Sequence, residues 1–218
     1  MTISRGTVHE RPRRRLDDVR RPHILATTVQ LIGERGLWNV RLADVATRAG
    51  ISATSVVYYF GSKDQLFAQA IADADDAFYD PLLTELAQLE TGTERIAWLL
   101  QRSSTSDWPL WMDLWVYSRR HPETAAAQRR FHERWRATIA DVVRHGCDIG
   151  EWSVGDPSEV ALRLSALTDG LAVHMVLGDA EHTPDRYVAM SLVAASLELG
   201  CDLAELQRAA AACPAPGA

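Results

Sequence analysis

Residues 49–67 read AGISATSVVYYFGSKDQLF, and this stretch decides the fold. Just before it, Leu42, Val45, Ala46 and Ala49 share one face of a short helix, which Gly50 ends. Ser52 is a good N-cap for a second short helix over about 53–60, and Ser62 caps a third that begins at Lys63. Two short helices joined by a tight glycine turn have the geometry of a helix-turn-helix. Gly50 supplies a backbone state that a Cβ hinders. Ala46 is small enough for close approach, and Ile51 and Val56 plug the joint. Val56, Phe60, Leu66 and Phe67 read as core. Tyr58 and Tyr59 are neighbours pointing about 100° apart, so at least one of them faces outward. The second helix of such a pair lies in the DNA major groove, its N-terminal residues at base edges.

Outward from this stretch the pattern stays helical. A first helix is expected over about 18–35, with Pro22 in its first turn, Gly36 at its end and Ile24, Leu25, Thr28, Leu31 and Ile32 as its apolar stripe. The helix starting at Lys63 should run to about residue 89, disturbed at Pro81. Longer helices follow at about 93–106, 108–121, 123–149, 157–178 and 184–211. The expected fold class is all-α with about nine helices. Its expected organisation is a flexible Arg-rich arm at 1–17, a helix-turn-helix DNA-binding domain at 18–66, and an effector-binding and dimerisation domain at 67–218.

The net charge of −6 hides an asymmetry. Residues 1–70 hold eleven Lys/Arg against six Asp/Glu, a net of +5, and the other 148 hold twelve against twenty-three, a net of −11. A basic head on an acidic body suits a polyanion at one end only. No apolar run approaches the ~18–20 residues that span a bilayer, so no membrane partner is expected. Cys147, Cys201 and Cys213 form neither a disulfide framework nor a metal-ligand spacing, which favours a reducing cytoplasm and no metal or cofactor. HExxH, a nucleophile elbow, a phosphate loop and paired Glu-x-x-His are all missing, so an enzyme is not expected.

The segment GLWNVRLADVATRAGISATSVVYYFGSKDQLFAQAI, residues 36–71, resembles the DNA-binding domain of TetR-type bacterial transcriptional regulators, most specifically in its YF-x-SK-x-x-L ending. The resemblance implies DNA-contact roles for Arg41, Ser52, Ala53, Thr54, Ser55, Val57, Tyr58, Tyr59 and Lys63. Ser52 to Ser55 start the recognition helix. Val57 replaces the family's usual Tyr and keeps only apolar contact with a thymine methyl. Tyr58 takes the place of a backbone-facing aromatic, Tyr59 replaces a His, and Lys63 matches a phosphate-gripping Lys. With few donors on the recognition helix, shape readout gains weight, and the Arg11–Arg21 segment is placed to supply a minor-groove arm. The structural alternatives are that Thr54 and Ser55 merely cap and that the arginines anchor nonspecifically.

WMDLWVYSRRHPE (111–123) and ALTDGLAVHMVLGD (166–179) are similar to ligand and dimer domains of the choline-repressor (BetI-like) branch. Helices near 157–178 and 184–205 are candidates for a homodimer interface through Leu164, Leu167, Leu171, Val188, Leu192, Ala195 and Leu199, although such stripes also pack within one chain. Trp98, Trp108, Trp111, Trp115 and Trp135 crowd into 38 residues. They read as core or as the aromatic wall of an effector site, with Asp113, Asp169 and His174 as polar members. The expected function is a DNA-binding regulator, a repressor released from a palindromic operator by a small aromatic or cationic effector. The alternative is an architectural or effector-independent DNA binder.

Overall fold

The structure, a computed structural model, describes residues 11–105 and 107–213, with side chains from Arg20 onward. Among the described residues, ten α-helices follow one another without a strand: α1 Arg11–Arg35, α2 Leu42–Ala49, α3 Ala53–Phe60, α4 Lys63–Gln88, α5 Gly92–Ser103, α6 Trp108–Ser118, α7 Pro122–Asp148, α8 Pro157–Val176, α9 Pro184–Leu199 and α10 Leu203–Ala212. A single 3₁₀ turn, Leu37–Asn39, links α1 to α2. The all-α class expected from the helical periodicity is the class observed.

Two helix boundaries differ from the sequence reading. The helix expected over 184–211 is broken after Leu199, where Gly200 takes a left-handed conformation (φ 68°) and Asp202 caps α10 by accepting from the Ala204 N–H. The break allows α10 to turn back and bury Leu206 and Ala210 in the body. At the other end α1 begins at Arg11, so residues 11–17 of the expected arm have helical backbone and Pro22 sits in the helix interior. Arginine is a good helix former, and Pro12 in the first turn is compatible with helix initiation. Pro22 and Pro81 are both exposed, so water can satisfy the carbonyls that their missing N–H groups leave unbonded. Residues 1–10 of that arm lie outside the described residues.

Two main cores organise the chain. In the head, Ile24, Leu25, Leu31 and Ile32 of α1 bury against Val45, Ala46, Val56, Phe60, Leu66 and Phe67. In the body, Tyr79, Leu82 and Leu86 of α4 pack with α5, α7, α8, α9 and α10. The helix α4 therefore belongs to both cores, and its head portion extends through Phe67 and Ala70, beyond the boundary expected at Leu66. An ion pair to the buried Asp75 fastens its middle to α7. Arg134 donates to Asp75 at 2.8 Å and to Asp76 at 2.7 Å, while its guanidinium lies 4.1 Å from the Tyr79 ring centre.

The candidate dimer residues turn inward. Leu164, Leu171, Leu192, Ala195 and Leu199 are buried in the chain's own core, and Leu167 and Val188 pack against it half-buried. The face that α8 and α9 leave outside carries Leu162, Val176, Met190, Val193 and Leu197 instead. Both helices are apolar on two sides. Spacing identifies such a stripe but not which side the chain itself covers.

Candidate functional site

The helix-turn-helix is built as its residue types require. Gly50 adopts φ 68° and ψ 33°, and its N–H and that of Ile51 close the C-terminus of α2. Asp44 accepts from the Arg41 N–H at 2.9 Å, and a bidentate Arg48–Glu34 pair, at 3.0 and 2.8 Å, ties α2 to α1. Ser52 caps α3 by accepting from the Ser55 N–H at 3.0 Å, and the two hydroxyls are 2.8 Å apart. Ser52 and Ser55 thus have structural employment in the free protein.

Ser52, Ala53, Thr54, Val57 and Tyr58 form an exposed face at the start and along one side of α3, with Arg41 exposed at the start of α2. Tyr58 is 80% exposed, which a core role does not explain. Tyr59 is half-buried, edge-on to Tyr58 with 5.4 Å between centroids. Val56 and Phe60, on the opposite side of α3, are buried as expected. Arg21 departs from the expected arm. Its guanidinium lies 5.2 Å from the Phe60 ring centre and donates to Gln69, so it is docked on the head itself.

Lys63 does not stand free in solvent. Its Nζ lies 4.9 Å from the Phe67 ring centre and 5.9 Å from that of Tyr117, and burial lowers its pKa against the opposing pull of Asp64. Tyr117 is the body residue that enters the head core. It lies edge-on to Trp38 at 4.9 Å, stacks on His121 at 3.8 Å, and donates its hydroxyl to Asp64 at 2.7 Å. His121 Nδ1 is 3.0 Å from the same Asp64 oxygen. Burial opposes ionisation of Asp64, but the hydrogen bonds from Tyr117 and His121 hold its pKa below the ordinary range. The sequence reading missed Asp64 and Tyr117 because their relationship spans 53 residues of chain.

The helix α6 carries Tyr117 at its C-terminal end and Trp108, Trp111 and Trp115 on the side facing the body. These three join Trp135 and Asp169 around one narrow aromatic cleft that opens to solvent. Phe78, Ser103, Phe131 and His132 complete the lining. Trp111 stacks on Phe131 at 3.8 Å and 25°, and the Trp108 indole N–H donates to the Ser103 carbonyl at 3.0 Å. Two buried polar atoms of the lining, Trp115 Nε1 and His132 Nε2, have no hydrogen-bond partner among the described residues, which is uncommon for buried polar atoms. Burial raises the Asp169 pKa to about 6, with Arg136 opposing, and burial also lowers the His132 pKa.

Three expected cavity residues lie elsewhere. Trp98 is packed into the body core beneath Arg102. Asp113 turns toward Gly36 at the head–body seam. His174 is exposed near the end of α8, because five positions beyond Asp169 carry it about 140° around the helix. Four lining residues were missed from the sequence: Phe78 and Ser103, on other helices, and Phe131 and His132, which sit one turn before Trp135 on α7, where helical spacing from that tryptophan was the available signal. A second apolar cavity of about 240 Å³ lies at the seam, between Val29, Ile32 and Leu37 of the head and Ile71, Leu110 and Leu114. Phe78 and Trp111 line both cavities.

An exposed recognition helix on a basic head, followed by a helical body with an aromatic cavity, defines a DNA-binding helix-turn-helix regulator. Residues 24–70 match the family described as bacterial regulatory proteins, tetR family, and residues 94–200 match the BetI-type transcriptional repressor C-terminal family. The chain belongs to the TetR family of transcriptional regulators. It is 24% identical over 186 residues to the HTH-type transcriptional regulator BetI of Rhizobium meliloti, covering 83% of this chain and 89% of that one. Among solved structures it is similar to a putative transcriptional regulator from Saccharomonospora viridis in complex with choline. That similarity has 29% identity and a TM-score of 0.71, over 80% of this chain and 94% of the other. A putative TetR-family regulator from Rhodococcus sp. matches the fold with 22% identity and a TM-score of 0.69, over 84% and 99% of the two chains.

Proposed function

We propose that this protein is a dimeric repressor that leaves its operator when a small organic cation enters the aromatic cavity. The observation that carries the reading is one lining that combines three α6 tryptophans, Phe131 and Trp135 with the carboxyl of Asp169. Aromatic faces attract quaternary ammonium groups through their quadrupoles, by about 2 kcal/mol or more per contact when desolvated. A nearby carboxylate adds Coulomb attraction in a partly dry site. The unpaired Trp115 N–H and His132 ring nitrogen suit an oxygen at the other end of such a ligand. Choline in the Saccharomonospora viridis regulator supports this ligand class.

Thr54, Val57 and Tyr58, with Ala53 and the Ser52 cap, face the major groove in this reading, and Arg41, Lys63 and Tyr59 serve the phosphates. The outward stripe of Leu162, Met190, Val193 and Leu197 joins two chains, so that two recognition helices reach half-sites ~34–36 Å apart. The switch acts through α6. A ligand seated on Trp111 and Trp115 displaces the helix that holds Asp64 through Tyr117, and Asp64 adjoins Lys63. The effector must bind the DNA-incompatible arrangement better, and that difference alone sets the size of the response.

The test starts with selection of bound duplexes from a random pool by the purified full chain at about 150 mM salt, followed by titration of the selected duplex with choline and tetramethylammonium. Enrichment of a near-palindrome, with release and altered tryptophan emission on adding the cation, is the expected result. Enrichment with no response to either compound rejects the effector class and leaves the effector-independent binder. No enrichment rejects the recognition-helix assignment.

A further inference from the structure

The turn between α8 and α9 brings together His174, Asp179 and His182, one ligand atom from each lying within 4.8 Å of the others. His182 Nδ1 is 3.0 Å from Asp179 Oδ2, and His174 Nδ1 is 3.7 Å from the same oxygen. The two imidazoles stack with 4.6 Å between centroids and 21° between planes, both presenting Nδ1 toward the carboxylate. The other carboxylate oxygen, Asp179 Oδ1, accepts from the Glu181 N–H at 3.0 Å, which fixes the group's orientation. His182 Nδ1 is buried, with Asp179 Oδ2 as its near polar neighbour.

From this geometry we infer that His174, Asp179 and His182 form a site for a divalent transition metal, with Zn²⁺ the ion its donors suit best. Two imidazole nitrogens and one carboxylate oxygen are a borderline-to-hard donor set that suits Zn²⁺ and excludes neither Ni²⁺ nor Cu²⁺. Metal–ligand bonds of about 2.0–2.2 Å in a tetrahedral site place ligand atoms roughly 3.3 Å apart. The two nitrogen–oxygen separations of 3.0 and 3.7 Å bracket that value and all three ligand atoms lie within 4.8 Å of one another, so binding turns the two stacked rings toward a shared ion. His174 is about half-exposed, which leaves a fourth position open to water. The ordinary alternative is a polar turn in which Asp179 caps the loop and the histidines are bystanders. Ion pairing of Asp179 with protonated histidines also aims both rings at one oxygen, and metal binding is what separates that arrangement from a metal site.

A bound ion would clamp the end of α8 to the start of α9, the pair that carries the outward apolar stripe. The site lies apart from the aromatic cavity and does not depend on the effector reading. The test titrates the untagged, metal-free full chain with Zn²⁺ against a chromophoric chelator and follows the thermal midpoint. One Zn²⁺ per chain is expected, with a midpoint that rises with metal concentration. The double variant His174→Asn/His182→Asn should lose affinity by at least about 10–100-fold, the loss that follows even from removing groups that only support the ligands. Asp179→Asn, which retains an acceptor for the Glu181 N–H, should weaken Zn²⁺ binding far more than it shifts the metal-free midpoint. Failure of the parent to bind Zn²⁺ at 100 µM-scale concentrations (about 10⁻⁴ M) would overturn the assignment. Equal affinity in parent and double variant would assign the metal to other groups, such as the three cysteines, and would overturn it equally.

Discussion

The Tyr117 hydroxyl donates to Asp64 Oδ1 at 2.7 Å across the seam between body and head, one residue from Lys63. Tyr117→Phe keeps the ring against Trp38 and Phe67 and removes only this bond. A hydrogen bond to a charged acceptor contributes about 1.5–3 kcal/mol, and Asp64 is partly exposed, so a loss near the lower figure is expected in a urea unfolding experiment. Operator affinity measured by anisotropy should stay close to that of the parent, while the shift produced by effector shrinks. An undiminished shift would remove this bond from the coupling route.

Asp169 makes the protein sensitive to pH in a defined direction. Burial raises its pKa from an ordinary 3.8 to about 6 in the folded chain. The folded state therefore holds its proton more tightly than the unfolded state. The resulting stability is present in full below about pH 3.8 and is lost as pH rises through about 6. Asp169→Asn abolishes that loss, so at pH 7 the variant should be more stable than the parent by an amount of order 2–3 kcal/mol, with the gap closing by pH 4. Cation binding should run the opposite way, weakening in the parent as pH falls through about 6 and losing that dependence in the variant. Urea midpoints and cation titrations between pH 4 and 8 check both signs.

Trp115→Phe separates wall from donor. The indole N–H of Trp115 is buried with no hydrogen-bond partner among the described residues, and a buried unsatisfied donor costs about 1–3 kcal/mol. Phe keeps most of the apolar contact and removes that cost, at the expense of a small cavity. Stability should change by less than about 1 kcal/mol, while affinity for an oxygen-bearing cation falls. A fall in stability of several kcal/mol with unchanged affinity would make Trp115 a core residue only.

Lys63→Ala tests the phosphate role of a side chain that now lies over Phe67 and Tyr117. Binding to specific and random duplexes should weaken alike, and the slope of log affinity against log salt should fall by about one. An unchanged slope would keep Lys63 within the seam. It would then be a packing cation.

The helix-turn-helix was legible because its determinants are local. Gly50 in the left-handed region, the Ser52 and Ser62 caps, and the burial of Val56, Phe60, Leu66 and Phe67 all follow from residue types at fixed offsets along a few turns of chain. The Gly200–Asp202 break was equally local, a helix-ending glycine followed by a capping aspartate, and it was overlooked under the stronger apolar pattern around it. The tryptophan cluster was legible as a composition. Its division was not, since Trp98 belongs to the body core alone, Trp135 to both core and cavity, and the three α6 tryptophans to the cavity.

The sequence by itself determined the helical class, the recognition helix with its exposed Tyr58 and Val57, and the aromatic wealth of α6. Only the tertiary structure decided which face of α8 and α9 turns inward, that Tyr117 meets Asp64, and that His174 leaves the cavity for Asp179 and His182. The physical reason is range. Caps, turns and helical periodicity are settled within a few residues by backbone hydrogen bonding and sterics, whereas the choice between two apolar faces depends on which one excludes more water against helices elsewhere in the chain.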